Sequence, residues 1–68
     1  MHIGKRLAAK LEELGWSEGE LKRRSGVSQP TIHRIITGES QDPRQGNVEN
    51  IAKALGVNAH WLRHGGPN

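Results

Sequence analysis

Apolar residues recur along this chain at three- and four-residue intervals, in five short runs separated by breaks that contain glycine. That interval is the signature of amphipathic helices. In the first run Ile3, Leu7, Leu11 and Leu14 share a stripe with Ala8 beside them, while Lys5, Arg6, Lys10, Glu12 and Glu13 lie elsewhere on the wheel. The spacing predicts a helix over 3–14, ended by Gly15. The second run is announced by its start. Ser17 followed by Glu20 reads as a capping box, and Trp16 can staple onto Leu21. This helix reaches about Ser25, before Gly26. The third has Ser28 as its cap, Val27 and Ile32 as its staple, and Pro30 in the first turn, where a missing N–H costs nothing. Ile32, Ile35 and Ile36 form its apolar stripe. The opposite face carries Pro30, His33, Arg34 and Thr37, with Gln29 at the tip and Gly38 closing the helix.

Residues 39–46 are polar, contain Pro43 and Gly46, and are expected to form a loop. Asn47 is the expected cap of a fourth helix whose Val48, Ile51, Ala52 and Leu55 face inward, up to Gly56. A fifth begins after Asn58, with Val57 and Leu62 as a third staple and Trp61 as its bulky core residue. Beyond His64 the chain reads Gly-Gly-Pro-Asn, the composition of a domain edge or the start of a linker. The expectation is therefore an all-α, five-helix domain over residues 1–65, with 66–68 as a terminal stub. Its core should join Leu7, Leu21, Ile32, Ile35, Leu55 and Trp61. Helices two and three are linked only by Gly26, Val27 and Ser28, too little chain for comfortable antiparallel packing, so they should cross steeply as a helix-turn-helix. At about nine residues the third helix is roughly 13 Å long. A slim helix with a polar outer face fits a B-DNA major groove about 12 Å wide.

Composition narrows the classes of function. The 68 residues hold ten Lys and Arg against seven Asp and Glu, a formal charge of +3. A basic balance suits a phosphate-binding surface, and it equally suits a plain soluble domain. Cysteine is absent, which removes disulfides and thiolate metal sites. No apolar run approaches the ~18 residues of a membrane span, and Met1 to Leu7 lacks the core of a signal peptide. A cytosolic location is expected. Two tryptophans without Phe or Tyr make a poor stacking platform for single strands.

The run from Ser17 to Gly38, S-E-G-E-L-K-R-R-S-G-V-S-Q-P-T-I-H-R-I-I-T-G, resembles the helix-turn-helix of the Cro and phage-repressor (XRE-type) family. The tail from Ile51 to Gly65, I-A-K-A-L-G-V-N-A-H-W-L-R-H-G, looks like that family's fourth and fifth helices. The resemblance implies a lambda-repressor-like fold whose third helix enters the major groove of a double-stranded operator. It places Gln29 at the glutamine that contacts a base and the backbone, and Arg34 at a position that commonly reads bases. Pro30 matches another reading position but offers only an apolar contact to a thymine methyl. Thr31 and His33 flank this face. Ser17 and Glu18 begin helix two, where the family often sets a glutamine against phosphate. Glu18 substitutes an anion that phosphate would repel, although a carboxylate suits the positive end of a helix dipole. On this reading Glu18→Gln tightens binding to any duplex. Lys22 stands where the family prefers alanine. Either its stem covers the contact between helices two and three with its ammonium in water, or the register of helix two is shifted.

Each candidate has a plain alternative. Arg34 can fork onto guanine O6 and N7 or stand on a solvated face; Gln29 can pair with adenine or only mark the helix tip. Thr31 can touch phosphate or only bond within the helix's first turn, and His33 can read a base or stand aside from the bases. Ser17, Ser28 and Thr37, with Arg44, Lys5, Arg6 and Arg24 at the flanks, are expected against the DNA backbone, where contacts hold register without reading sequence. His60 and His64 have an i, i+4 spacing that could share a zinc ion, but no further ligand is near in sequence, so no metal and no cofactor is expected. No catalytic set can be assembled, and an enzyme is not expected.

The leading expectation is the operator-binding domain of a transcriptional repressor, acting as a homodimer on a two-fold symmetric site and weakly associated alone. By resemblance, such domains commonly continue into an oligomerisation or self-cleaving peptidase domain. The alternative is a protein-interaction module, such as an antitoxin that masks a partner. An interaction helix would carry large apolar anchors on its outer face, and here Gln29, Thr31, His33 and Arg34 are polar.

Overall fold

The computed structural model describes residues 2–66, and the expected stub at 67–68 lies outside them. Among the described residues there are five helices: α1 (Ile3–Leu14), α2 (Glu18–Ser25), α3 (Gln29–Thr37), α4 (Gln45–Leu55) and α5 (Ala59–His64). The caps expected at Ser17, Ser28 and Asn58 are made: their side chains accept from the backbone N–H groups of Glu20, Thr31 and His60. The capping box at α2 is one-sided, because the Glu20 carboxylate turns to Arg23 and Arg24 instead of reaching back. Those arginines, Arg24 foremost, hold Glu20 below the usual carboxylate range. At α1 the cap is His2, whose Nδ1 accepts from the Gly4 N–H at 3.0 Å.

One apolar core joins all five helices, through Leu7 and Leu11 of α1, Leu21 of α2, Ile32 and Ile35 of α3, Ile51 and Leu55 of α4, and Leu62 of α5. Trp61 departs from expectation. It is half-buried at the margin, and Leu62, its neighbour in sequence, takes the fully buried place. In so short a helix one residue faces the core squarely and the next, about 100° around the axis, can only cover its edge. Leu14, on the expected stripe of α1, is exposed at the helix's last residue.

The start of α4 also differs. Asn47 does not cap it; the helix begins at Gln45 with Arg44 in the cap position and no side-chain cap bond. A tertiary contact has overridden the local signal. Arg63 of α5 donates to Asp42 Oδ1 at 2.7 Å, to the Pro43 carbonyl and to Gln45 Oε1 at 3.2 Å, fixing the chain just where it enters α4. Pro43 is buried beneath this strut.

Arg6 gives the largest correction. Expected at the surface against phosphate, it is only 8% exposed. Its Nε donates to the Leu62 carbonyl at 2.8 Å and its Nη2 to that of Arg63. Those are last-turn carbonyls of α5, which have no acceptor role inside the helix. A cation there also suits the negative end of the helix dipole. Arg6 therefore closes α5 onto α1.

Two glycines set the placement of α3. Gly26 ends α2 in the left-handed region at φ 76°, letting the chain turn within the short link that buries Val27. Gly4 has ordinary helical geometry but no space. A Cβ there would collide with the Ile35 carbonyl oxygen and lie 2.9 Å from that of Ile36. Gly4→Ala should thus destabilise the domain by at least about 2 kcal/mol, since both obstacles are backbone. For a domain of this size that lowers the melting temperature by roughly 8 °C or more. Thermal unfolding followed by circular dichroism measures it; an unchanged transition would mean that α1 does not seat on α3 at this point.

Candidate nucleic-acid interface

Burying Ile32 and Ile35 completely forces the other side of α3 outward. Gln29, Pro30, His33, Arg34 and Thr37 are all exposed, and Thr31 is half-buried. The expected reading residues therefore share one continuous outer face. Thr31 is also tied to the cap, since Ser28 Oγ donates to its Oγ1 at 2.8 Å. Thr37 Oγ1 donates to the Arg34 carbonyl at 3.2 Å and accepts from the Glu39 N–H, so it finishes the helix.

Arg34 reaches across this end of α3. Its Nε stands 3.9 Å from Glu39 Oε2, with about half of each side chain or more in solvent. An exposed pair at that separation is worth only about 0–1 kcal/mol, so a better partner can displace it. Beside it a cleft of about 390 Å³ runs between α3 and the following loop. It is lined by Thr31 and Arg34 of α3, by Ser40, Asp42 and Pro43 of the loop, and by Arg44 and Asn47 at the head of α4. The structure thus brings Arg34 and Arg44 to one concavity, though ten residues of chain separate them. Arg44 is exposed at the head of α4, whose first N–H groups lack a side-chain cap.

The remaining candidates divide. Lys5 is exposed on α1. Arg24 is engaged on α2, with its Nε bound to Glu20 and its guanidinium 4.4 Å from the centre of the Trp16 ring, a cation–π contact. Lys22 is exposed, and α2 keeps the expected register with Leu21 buried. His60 and His64 lie with ring centres 4.8 Å apart on α5. Among the described residues no three of His, Cys, Asp and Glu gather as metal ligands, and no helix is long and apolar enough to cross a membrane.

Sequence reasoning missed two arrangements here. Glu18 faces His33, whose Nδ1 is 3.1 and 3.2 Å from its two carboxylate oxygens. Arg63 holds the loop that carries Arg44. Glu18 stood out only as an unusual residue type, and nothing in the spacing of Arg63 from Asp42 signals a contact.

Comparison with known proteins extends this picture. A family model described as helix-turn-helix matches residues 7–62. The transcriptional regulators for the conjugative elements R391 of Providencia rettgeri and SXT of Vibrio cholerae are each 41% identical over 63 residues. Those alignments take in 93% of this chain but 28% of each regulator, so the chain spans under a third of the length of these curated relatives. Among solved structures, the N-terminal DNA-binding domain of SinR from Bacillus subtilis superposes with a TM-score of 0.85 at 28% identity, covering 88% of this chain and 87% of that one. The P22 c2 repressor, crystallised with synthetic operator 9T, superposes with a TM-score of 0.88 at 26% identity, covering 97% and 98%. The fold, the matched segment and the relatives agree, and the chain belongs to the helix-turn-helix family.

Proposed function

We propose that this chain binds double-stranded DNA site-specifically, as the operator-binding domain of a transcriptional repressor, with α3 in the major groove. The observation that carries the reading is the outer face of α3. It is exposed, polar and free of large apolar side chains, on a fold shared with a repressor bound to its operator. A module that masks a protein partner would need apolar anchors there. In this reading Gln29 and Arg34 meet base edges, Pro30, Thr31 and His33 border them, and Arg34 exchanges Glu39 for a guanine. Arg44 and Lys5 meet phosphate, as do the helix starts at Ser17 and Ser28. Arg6 is withdrawn from that set because its donors are spent inside the fold. Arg24 and Thr37 contribute only if DNA displaces their present partners. The location that follows is the cytosol, on DNA.

One recognition helix spans too few base pairs to single out a genomic site, so two copies should act together on successive major-groove faces about 34 Å apart. Leu14 is the single large hydrophobic side chain exposed among the described residues, too little for a stable interface. The 68-residue chain is therefore expected to sediment as a monomer or weak dimer alone and to pair on a palindromic duplex. Analytical ultracentrifugation with and without a site selected from random DNA tests this, and a tight dimer without DNA would refute it.

Substitutions separate reading from holding. Arg34→Ala should cost about 1–3 kcal/mol and relax preference at one base pair. Arg44→Ala should weaken all duplexes alike and reduce the salt slope of binding by roughly one. Isotherms against single-base variants at several salt concentrations decide between the roles, and an unaltered preference in Arg34→Ala overturns its assignment.

A further inference from the structure

We infer that Glu18 is a positioning residue for His33, and that the pair presents the imidazole to DNA as a hydrogen-bond donor, so that binding takes up a proton. The inference rests on α3 lying in the groove as proposed above. Glu18 opens α2 and His33 stands midway along the outer face of α3. They are fifteen residues apart, yet His33 Nδ1 lies within 3.2 Å of both carboxylate oxygens. A carboxylate only accepts, so Nδ1 carries a hydrogen in this contact. The nitrogen left for a ligand is Nε2, on a side chain that is 62% exposed.

In a neutral ring with Nδ1 protonated, Nε2 is a bare acceptor; in the imidazolium it is a donor. Phosphate oxygens and the O6 and N7 atoms of guanine are acceptors, and a bare Nε2 offers them nothing. A proton there converts the meeting into a charge-assisted bond. The ring then bridges the Glu18 carboxylate through Nδ1 and an acceptor of the polyanion through Nε2. The same arrangement explains how an acid is tolerated at the head of a helix facing DNA, because the imidazolium stands between carboxylate and nucleic acid.

Lys22, one turn from Glu18 on α2, is exposed, and the other charges on these two helices are engaged elsewhere. Arg34, next on α3, leans to Glu39, and Glu20 on α2 is held by Arg23 and Arg24. Helix α1 meets α3 at Gly4, with the His2 ring that caps α1 beside Gly38. Among the described residues, Glu18 is the charged group within ion-pair distance of His33.

The test measures Kd by fluorescence anisotropy between about pH 6 and about pH 8, at constant ionic strength, for the unaltered chain, His33→Gln and Glu18→Gln. The duplexes are a selected site, its single-base variants and a scrambled control. Gln places an amide near the reach of Nε2 without titrating. His2, His60 and His64 are common to all three proteins and give a shared background. The unaltered chain should lose about three- to tenfold more affinity across this range than His33→Gln, within the limit for one linked proton. Glu18→Gln should shrink that difference, and at the alkaline end it should bind tighter than the unaltered chain, because an uncompensated anion has gone. Ring 15N shifts should show hydrogen on Nδ1 of free His33 and a mixture of tautomers in Glu18→Gln. A pH effect equal on all duplexes assigns the acceptor to phosphate, and one confined to guanine-bearing variants assigns it to a base. If the selected site is still preferred while His33→Gln runs parallel to the unaltered chain, the inference falls and the proposed function stands. Failure of the unaltered chain to prefer the selected site at every pH brings down that function itself.

Discussion

Gly4 and the last carbonyls of α3 meet backbone to backbone, with no side chain between them. A helix proposed to read DNA must be held rigidly while leaving its outer face bare, and this contact helps to satisfy both demands. Ile32 and Ile35 fix the rotation of α3 about its axis by burying one stripe completely. Gly4 lets the C-terminal end of α3 come into backbone contact with α1, and the link through Gly26 and Val27 sets the other end against α2. Rotation, height and entry are then all determined from the inner side. None of these constraints draws on a residue that faces outward.

The basic residues serve different tasks that net charge does not reveal. Arg6 and Arg63 are structural. One saturates the end carbonyls of α5, and the other ties α5 to the loop entering α4. Each uses several donors of a planar guanidinium at once, which a lysine could not reproduce. Because α5 is anchored through Arg6 to α1 and through Arg63 to the loop, the C-terminal end of this six-residue helix is held from two sides. The position of Arg44 then follows from the core rather than from a free loop. Arg23 and Arg24 are absorbed by Glu20 on their own helix, and Arg34 and Arg44 stand at the cleft.

Local electrostatics on the outer face are correspondingly fine-grained. Acidic residues are not excluded from it; they are paired. Glu18 is matched with His33 through Nδ1, a contact that leaves Nε2 for a ligand, and Glu39 with Arg34 in an exposed pair weak enough to be exchanged. A surface of this kind can be neutralised while free and become selectively basic as a polyanion takes the place of Glu39 at Arg34. That is a different arrangement from a uniformly positive patch, and it gives acidic side chains a part in deciding which cation faces the ligand.

Residue order already fixes whatever depends on neighbours along the chain. Helical stripes, the serine and asparagine caps, and the glycines that end helices act within a turn or two, so α1, α2, α3 and α5 were legible nearly to the residue. The outer face of α3 followed, because fixing Ile32 and Ile35 inside fixes Gln29, His33 and Arg34 outside. Tertiary structure alone decided what depends on residues far apart in sequence. It moved the cap position of α4 from Asn47 to Arg44 through Arg63, exchanged Trp61 for Leu62 in the core, and took Arg6 from the expected surface to the end of α5. It also set Glu18 against His33. An arginine or histidine carries the same local pattern whether its partner is water, a distant carbonyl or a carboxylate, and only the packed chain determines which of these lies within reach.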